Sequence, residues 1–104
     1  MRLRADIITA YGLDGGPSVP ANRDAAIAGI DRLARAHRIP VTITPGVGSC
    51  EPWPTEDVLV ITSYVAPNRL ADVRRLAEDI RVAYSQDSVA VAVAAADFDL
   101  IQGG

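Results

Sequence analysis

The chain has 104 residues, 49% hydrophobic and 22% charged, with a net charge of −3 and a pI of about 4.9, as expected of one globular domain built on a single core. All ten basic residues are arginine, and the acidic balance opposes binding to a phosphate backbone, so nucleic acid is not an expected partner. A single cysteine, Cys50, and a single histidine, His37, exclude an intramolecular disulfide and a Cys/His zinc cage within one subunit; no apolar run reaches the ~20 residues of a membrane span.

Met1–Asp6 lacks the apolar core of a signal peptide, which predicts a cytoplasmic protein. Leu3–Tyr11 reads as the first strand, with β-branched and aromatic content in its second half. Gly12–Pro20 breaks it, and Asn22 is a helix N-cap with Asp24 near the positive end of the dipole. Ile27, Ile30, Leu33 and Ala34 form one stripe of a helix that stops before Pro40. Val41–Thr44 alternates as a strand, and Pro45–Thr55, rich in proline and glycine, reads as a loop. Asp57–Val65 returns to strand, its near-continuous apolar run Val58–Ile61 suiting a central position. Asn68 is the expected cap of a second helix whose stripe is Val73, Leu76, Ala77, Ile80 and Tyr84, with Arg74–Glu78 and Arg75–Asp79 as i,i+4 pairs. Ser88–Val93 alternates with period two and reads as the last strand.

This order predicts a single α+β domain over residues 1–104, a ferredoxin-like βαββαβ sandwich with a four-stranded antiparallel sheet and two helices on one face. The other face is left for a ligand, a partner protein or a second copy, and a homodimer through that face or an edge strand is expected. The fold hosts many unrelated activities, so function must come from the site.

Proline on both sides of Trp53 stiffens the Ser49–Pro54 segment, so Trp53 is either a partner-binding anchor or a plug at one end of the core. Cys50 beside Glu51 has the wrong neighbour for an activated thiolate. His37, flanked by Arg35 and Arg38, suits the C-terminal end of the first helix as a cation. Glu51, Glu56, Asp57, Asp97 and Asp99 are the carboxylates that could cluster for a divalent ion or acid/base work, although no metal-ligand motif is present. Gly12–Gly16 lacks phosphate-loop spacing and its lysine.

The junction Tyr84-Ser85-Gln86-Asp87-Ser88-Val89 resembles the aromatic-x-Gln-Asp/Glu-Ser/Ala-Val/Ile signature of a small ferredoxin-like family found in phages, mobile elements and bacteria. The resemblance implies the fold and no particular reaction, and the lipoprotein relatives' N-terminal lipobox cysteine has no counterpart here. Gln86 either satisfies backbone groups freed at the helix end or, with Tyr84 and Ser88, lines a pocket with Glu56 or Tyr64. The terminal Gly103-Gly104 is also the ending of ubiquitin-like modifiers and sulfur carriers, whose β-grasp fold has two strands before the first helix.

The sequence therefore points to a cytoplasmic binding module without a cofactor, a phage or mobile-element accessory protein that engages a host protein or a small ligand. Its candidate binding residues are Trp53, Glu51, Glu56, Tyr64, Tyr84, Gln86 and Ser88. The rival reading is a small dimeric enzyme with Glu51, Glu56, His37, Tyr64 or Gln86 in a cleft; the third is a Gly-Gly-tailed modifier.

Overall fold

The computed structural model describes residues 1–11, 22–50, 53–97 and 99–103, with backbone alone at 49, 50 and 53–55. Its elements are β1 (Arg2–Ala10), α1 (Arg23–Ala36), β2 (Thr42–Cys50), β3 (Trp53–Val65), a 3-10 turn (Pro67–Arg69), α2 (Leu70–Ala83) and β4 (Ala90–Ala96). The sheet order is β2-β3-β1-β4, antiparallel at every junction, which is the ferredoxin-like α+β sandwich.

Alternation along the two central strands divides the sheet into a covered and an open face. Ala5, Ile7, Leu59, Ile61 and Val65 are buried against Ala26, Ile30 and Ala34 of α1 and Val73, Leu76, Ala77, Ile80 and Tyr84 around α2. The predicted stripe of the second helix is thus core; of the first, Ile30 and Ala34 are buried, Ile27 and Leu33 pack half-buried at the margin, and Ala26 takes the remaining core place. Besides the Tyr84 hydroxyl, those of Thr9 and Ser63 share this interior. Thr9 donates to the carbonyl of Ala10 at 2.8 Å, whereas Ser63 Oγ has no hydrogen-bond partner among the described residues, a state that costs stability in a closed core.

Both helices end in the same way. His37 and Tyr84 are the C-caps, and Arg38 (φ 56°) and Ser85 (φ 52°) follow in the left-handed region. Ile39 N–H then donates to Ala34 O, and Gln86 N–H to Arg81 O, both at 3.0 Å. These are Schellman closures built without glycine. At the start of α1, Asn22 Oδ1 accepts from Ala25 N–H at 2.9 Å, as the expected N-cap.

Several local expectations are corrected. The proline- and glycine-rich stretch after Thr44 is the continuation of β2, with Pro45 opposite Leu59 and Gly48 opposite Glu56. An edge strand needs to pair only on one side, so it tolerates proline. β3 begins at Trp53, and its pairing with β1 ends at Val58, leaving a two-stranded β2–β3 ribbon projecting beyond the sheet. Asn68 lies inside the 3-10 turn, and α2 starts after Arg69 with no side-chain cap. The ion pairs of α2 are Asp72 with Arg69 and Arg75, and Glu78 with Arg81. Asp79 reaches instead across to His37 at 2.5 Å, tying the end of α1 to α2.

Candidate functional site

Strand direction decides which residues can meet. β1 runs against both β3 and β4, so the end of β1 lies with the starts of β3, β4 and α1. This is the acidic end of the molecule, carrying Asp24, Glu56, Asp57 and Asp87. The opposite end gathers the start of β1, the end of α1 and the start of α2, with Arg2, Arg4, Arg35, Arg38 and Arg69.

Glu56, Gln86 and Ser88 fall at the acidic end, and the β2–β3 ribbon extends from it. Trp53 opens β3 opposite Cys50; its side chain and all of Glu51 lie outside the described residues. Tyr64 sits at the arginine end, eight positions along β3 from Glu56, about 26 Å away at strand rise. One pocket cannot hold both. The expected carboxylate cluster divides in the same way, because β3 begins at the acidic end and β4 reaches Asp97 at the other. Among the described residues no three His, Cys, Asp or Glu side chains come together as a metal site would require.

Tyr84 belongs to the core. It is 4% exposed, and its hydroxyl donates to Ala26 O at 2.5 Å. Burial pushes its phenol above the ordinary value of 10.0, partly opposed by Arg32 and a backbone hydrogen bond. Gln86 takes the backbone-satisfying role: its Nε2 donates to Tyr84 O at 3.0 Å. His37, as a C-cap paired with Asp79, joins the two helices. Among the described residues one strand precedes α1, where a β-grasp modifier has two.

The acidic end does contain a cavity. Tyr11, Asn22, Arg23, Asp24 and Asp57 line a depression of about 490 Å³, wide open to solvent, between the end of β1, the start of α1 and the base of the ribbon. It brings together one aromatic ring, one guanidinium, two carboxylates and the positive end of a 14-residue helix. Such a lining can hold a cation against the ring and carboxylates, and an anion against Arg23 and the helix terminus. None of these residues stood out in the sequence except Asn22 and Asp24 as helix-start signals and Asp57 as a carboxylate.

The open face carries a second polar group that sequence reading missed. Asp6, in the middle of a central strand, accepts from Thr62 Oγ1 at 2.6 Å and from Arg4 Nε at 3.1 Å. A carboxylate at such a position disfavours strand structure unless it is paired, and here two neighbours pair it. Around it the face is small and apolar, with Ile8, Val60, Ala90 and Ala92.

No family model matches the chain, and no curated protein does. Solved structures do. A phage SAM lyase in the apo state superposes with a TM-score of 0.65 at 16% identity, over 88% of this chain and 78% of that one. A phage SAM lyase in complex with S-methyl-5'-thioadenosine gives 0.64 at 15% identity, over 89% and 80%. At such identities the likeness is one of fold.

Proposed function

We propose that this chain is a phage-type, cytoplasmic small-ligand-binding domain, and that its ligand is a sulfur-bearing nucleoside of the S-adenosylmethionine class held in the cavity at the acidic end. The observation that carries the reading is that cavity's lining. S-Adenosylmethionine combines a sulfonium cation, an amino-acid carboxylate and a flat purine. Asp57 and Tyr11 suit the cation, Arg23 and the start of α1 suit the carboxylate, and Tyr11 offers a face for stacking. The names of the two solved structures of like fold support the same ligand class. Gln86, Ser88 and Glu56 border the same end, and the β2–β3 ribbon extends from it.

Isothermal titration with S-adenosylmethionine and with S-methyl-5'-thioadenosine tests this. Both should bind. Asp57→Asn should weaken the sulfonium ligand about tenfold, a loss of ~1.4 kcal/mol, and leave the uncharged thioether nearly unchanged. Tyr11→Ala should weaken both. Absence of heat and of thermal stabilisation with either ligand refutes the assignment.

The names of the neighbours favour one further reading, that the bound ligand is also cleaved. Incubation with S-adenosylmethionine and chromatographic detection of S-methyl-5'-thioadenosine separates an enzyme from a binder. The expected homodimer is proposed to form along β4, an edge strand whose residues Ala90–Ala96 carry no charge and which a globular protein rarely leaves uncovered. Light scattering on the purified protein, with Val93→Lys as the disrupting variant, measures it.

A further inference from the structure

Asn22 lines the depression at the acidic end together with Tyr11, Arg23, Asp24 and Asp57, and it also caps α1. The two roles fall to different arms of one carboxamide. We infer that Asn22 sets the specificity of this site: its Nδ2 group donates to an α-carboxylate and so selects thionucleosides that carry an intact amino acid over those that lack the acid. The inference rests on the reading above, that the depression holds a ligand of the S-adenosylmethionine class.

The capping bond fixes which way the carboxamide lies. Oδ1 accepts from Ala25 N–H at 2.9 Å, and the reversed orientation would set the Nδ2 donors against another donor. Nδ2 is therefore turned away from that N–H, and it has no acceptor among the described residues. A donor held in place by its own cap has little rotamer freedom left to lose when a ligand accepts from it.

The backbone at the start of α1 cannot take over this task. Ala25 N–H is occupied by Asn22 Oδ1, and Ala26 N–H by the Asn22 carbonyl at 3.0 Å. A carboxylate arriving here is met by side chains, the Asn22 carboxamide and the guanidinium of the adjacent Arg23.

Charge gives the inference a sign that can be measured. The lining holds two carboxylates and one guanidinium, so it is negative on balance. Asp24 and Asp57 match the two cations of S-adenosylmethionine, its sulfonium and its α-ammonium. By charge alone such a lining prefers the decarboxylated ligand, which keeps both cations and loses the only anion. A preference for the intact amino acid runs the other way, and it requires donors placed to meet the acid.

The experiment is isothermal titration of the full chain with S-adenosylmethionine, its decarboxylated form and S-methyl-5'-thioadenosine, repeated with Asn22→Asp. Aspartate caps a helix as well as asparagine does, so the substitution keeps the cap and the side-chain shape while replacing the donor by an anionic acceptor. The unaltered protein should bind S-adenosylmethionine about tenfold more tightly than the decarboxylated form. Asn22→Asp should abolish that preference, melt at nearly the same temperature and bind S-methyl-5'-thioadenosine, which has no carboxylate, nearly as before. Equal or tighter binding of the decarboxylated form by the unaltered protein would overturn the inference. So would a preference that survives Asn22→Asp, since Asn22 would then be a cap and nothing more. In both cases S-methyl-5'-thioadenosine still binds and the ligand class stands. Absence of binding by all three ligands refutes the ligand class itself, and the role of Asn22 falls with it. The comparison of ligands on the unaltered protein decides the matter even where the variant folds poorly.

Discussion

Gly29 lies in the middle of α1, where alanine would ordinarily stabilise a helix by about 1 kcal/mol. Here the sign should reverse. A Cβ at position 29 would stand 2.6 Å from the Tyr84 hydroxyl and 3.6 Å from its Cζ. That hydroxyl cannot swing aside, because it projects from a ring that is 4% exposed and donates to Ala26 O. Relieving the clash means moving the ring, at about 1–3 kcal/mol for overpacking, and breaking a buried hydrogen bond worth about 1 kcal/mol. Against the helix gain, Gly29→Ala should therefore destabilise by about 1–3 kcal/mol. Tyr84→Phe alone loses the hydrogen bond, about 1 kcal/mol. In the Tyr84→Phe background the nearest atom is a ring carbon at 3.6 Å, an ordinary contact, so adding Gly29→Ala should now stabilise by about 1 kcal/mol. A double-mutant cycle in urea denaturation, read by circular dichroism, measures this change of sign as the coupling energy. If Gly29→Ala stabilises the chain with Tyr84 intact, the packing argument is wrong.

Three other outcomes follow from the same interior and its edges. Burial raises the Tyr84 phenol above its ordinary 10.0, so an unfolded chain gives up this proton first; stability should decline as pH rises past about 10, and Tyr84→Phe should blunt that decline in thermal melts. Arg69 donates to Asp72 Oδ2 at 2.7 Å and to the carbonyls of His37 and Arg38 at 2.9 and 3.2 Å, clamping the end of α1 to the start of α2. Its hydrogen bond, and its charge with that of Arg75, hold the Asp72 carboxyl below the ordinary 3.8, so this stability is present above about pH 4 and lost as pH falls through the depressed value. Arg69→Gln should lower Tm by roughly 4–8 °C at neutral pH and flatten the acid limb; an unchanged acid limb would contradict the pairing. Arg38 and Ser85 occupy left-handed conformations that cost an L-residue about 1 kcal/mol more than glycine. Arg38→Gly and Ser85→Gly should each raise Tm by a few degrees, and a fall in both would show that their side chains outweigh the backbone term.

The helices were legible because each carries its own stripe and each start or stop has a local chemical cause. Asn22 caps, the stripes reach Ala34 and Tyr84, and Pro40 forbids continuation. Strands β1 and β3 were legible in their central parts for the same reason, since Ile7 and Val58–Ile61 must be buried by something. The ribbon was not. Pro45, Gly46 and Gly48 are loop signals in isolation, and their place in a ladder depends on β2 being an edge that pairs only with β3. Asn68 failed as a cap because Pro67 begins a 3-10 turn that sets α2 one turn later. The ion pairs of α2 were misassigned because Asp79 has a partner on another helix, and intrahelical spacing says nothing of it.

The candidate site divides along the same line. Sequence by itself determined the set of available groups: one histidine, one cysteine, arginine without lysine, and polar residues clustered near the strand ends. It also determined the order of elements, and through the handedness of the crossovers, the sheet. Tertiary structure alone decided which of those groups meet. Strand direction separated Glu56 from Tyr64 and Asp57 from Asp97, while chain crossings far apart in sequence brought Tyr11 to Asp57. Tyr84 shows the reason most plainly. Its stripe position and its hydroxyl are both visible in the chain, but whether the hydroxyl serves a ligand or the carbonyl of Ala26 depends on how closely α1 approaches. A glycine at position 29 permits that approach, and its meaning appears only when the two helices lie side by side.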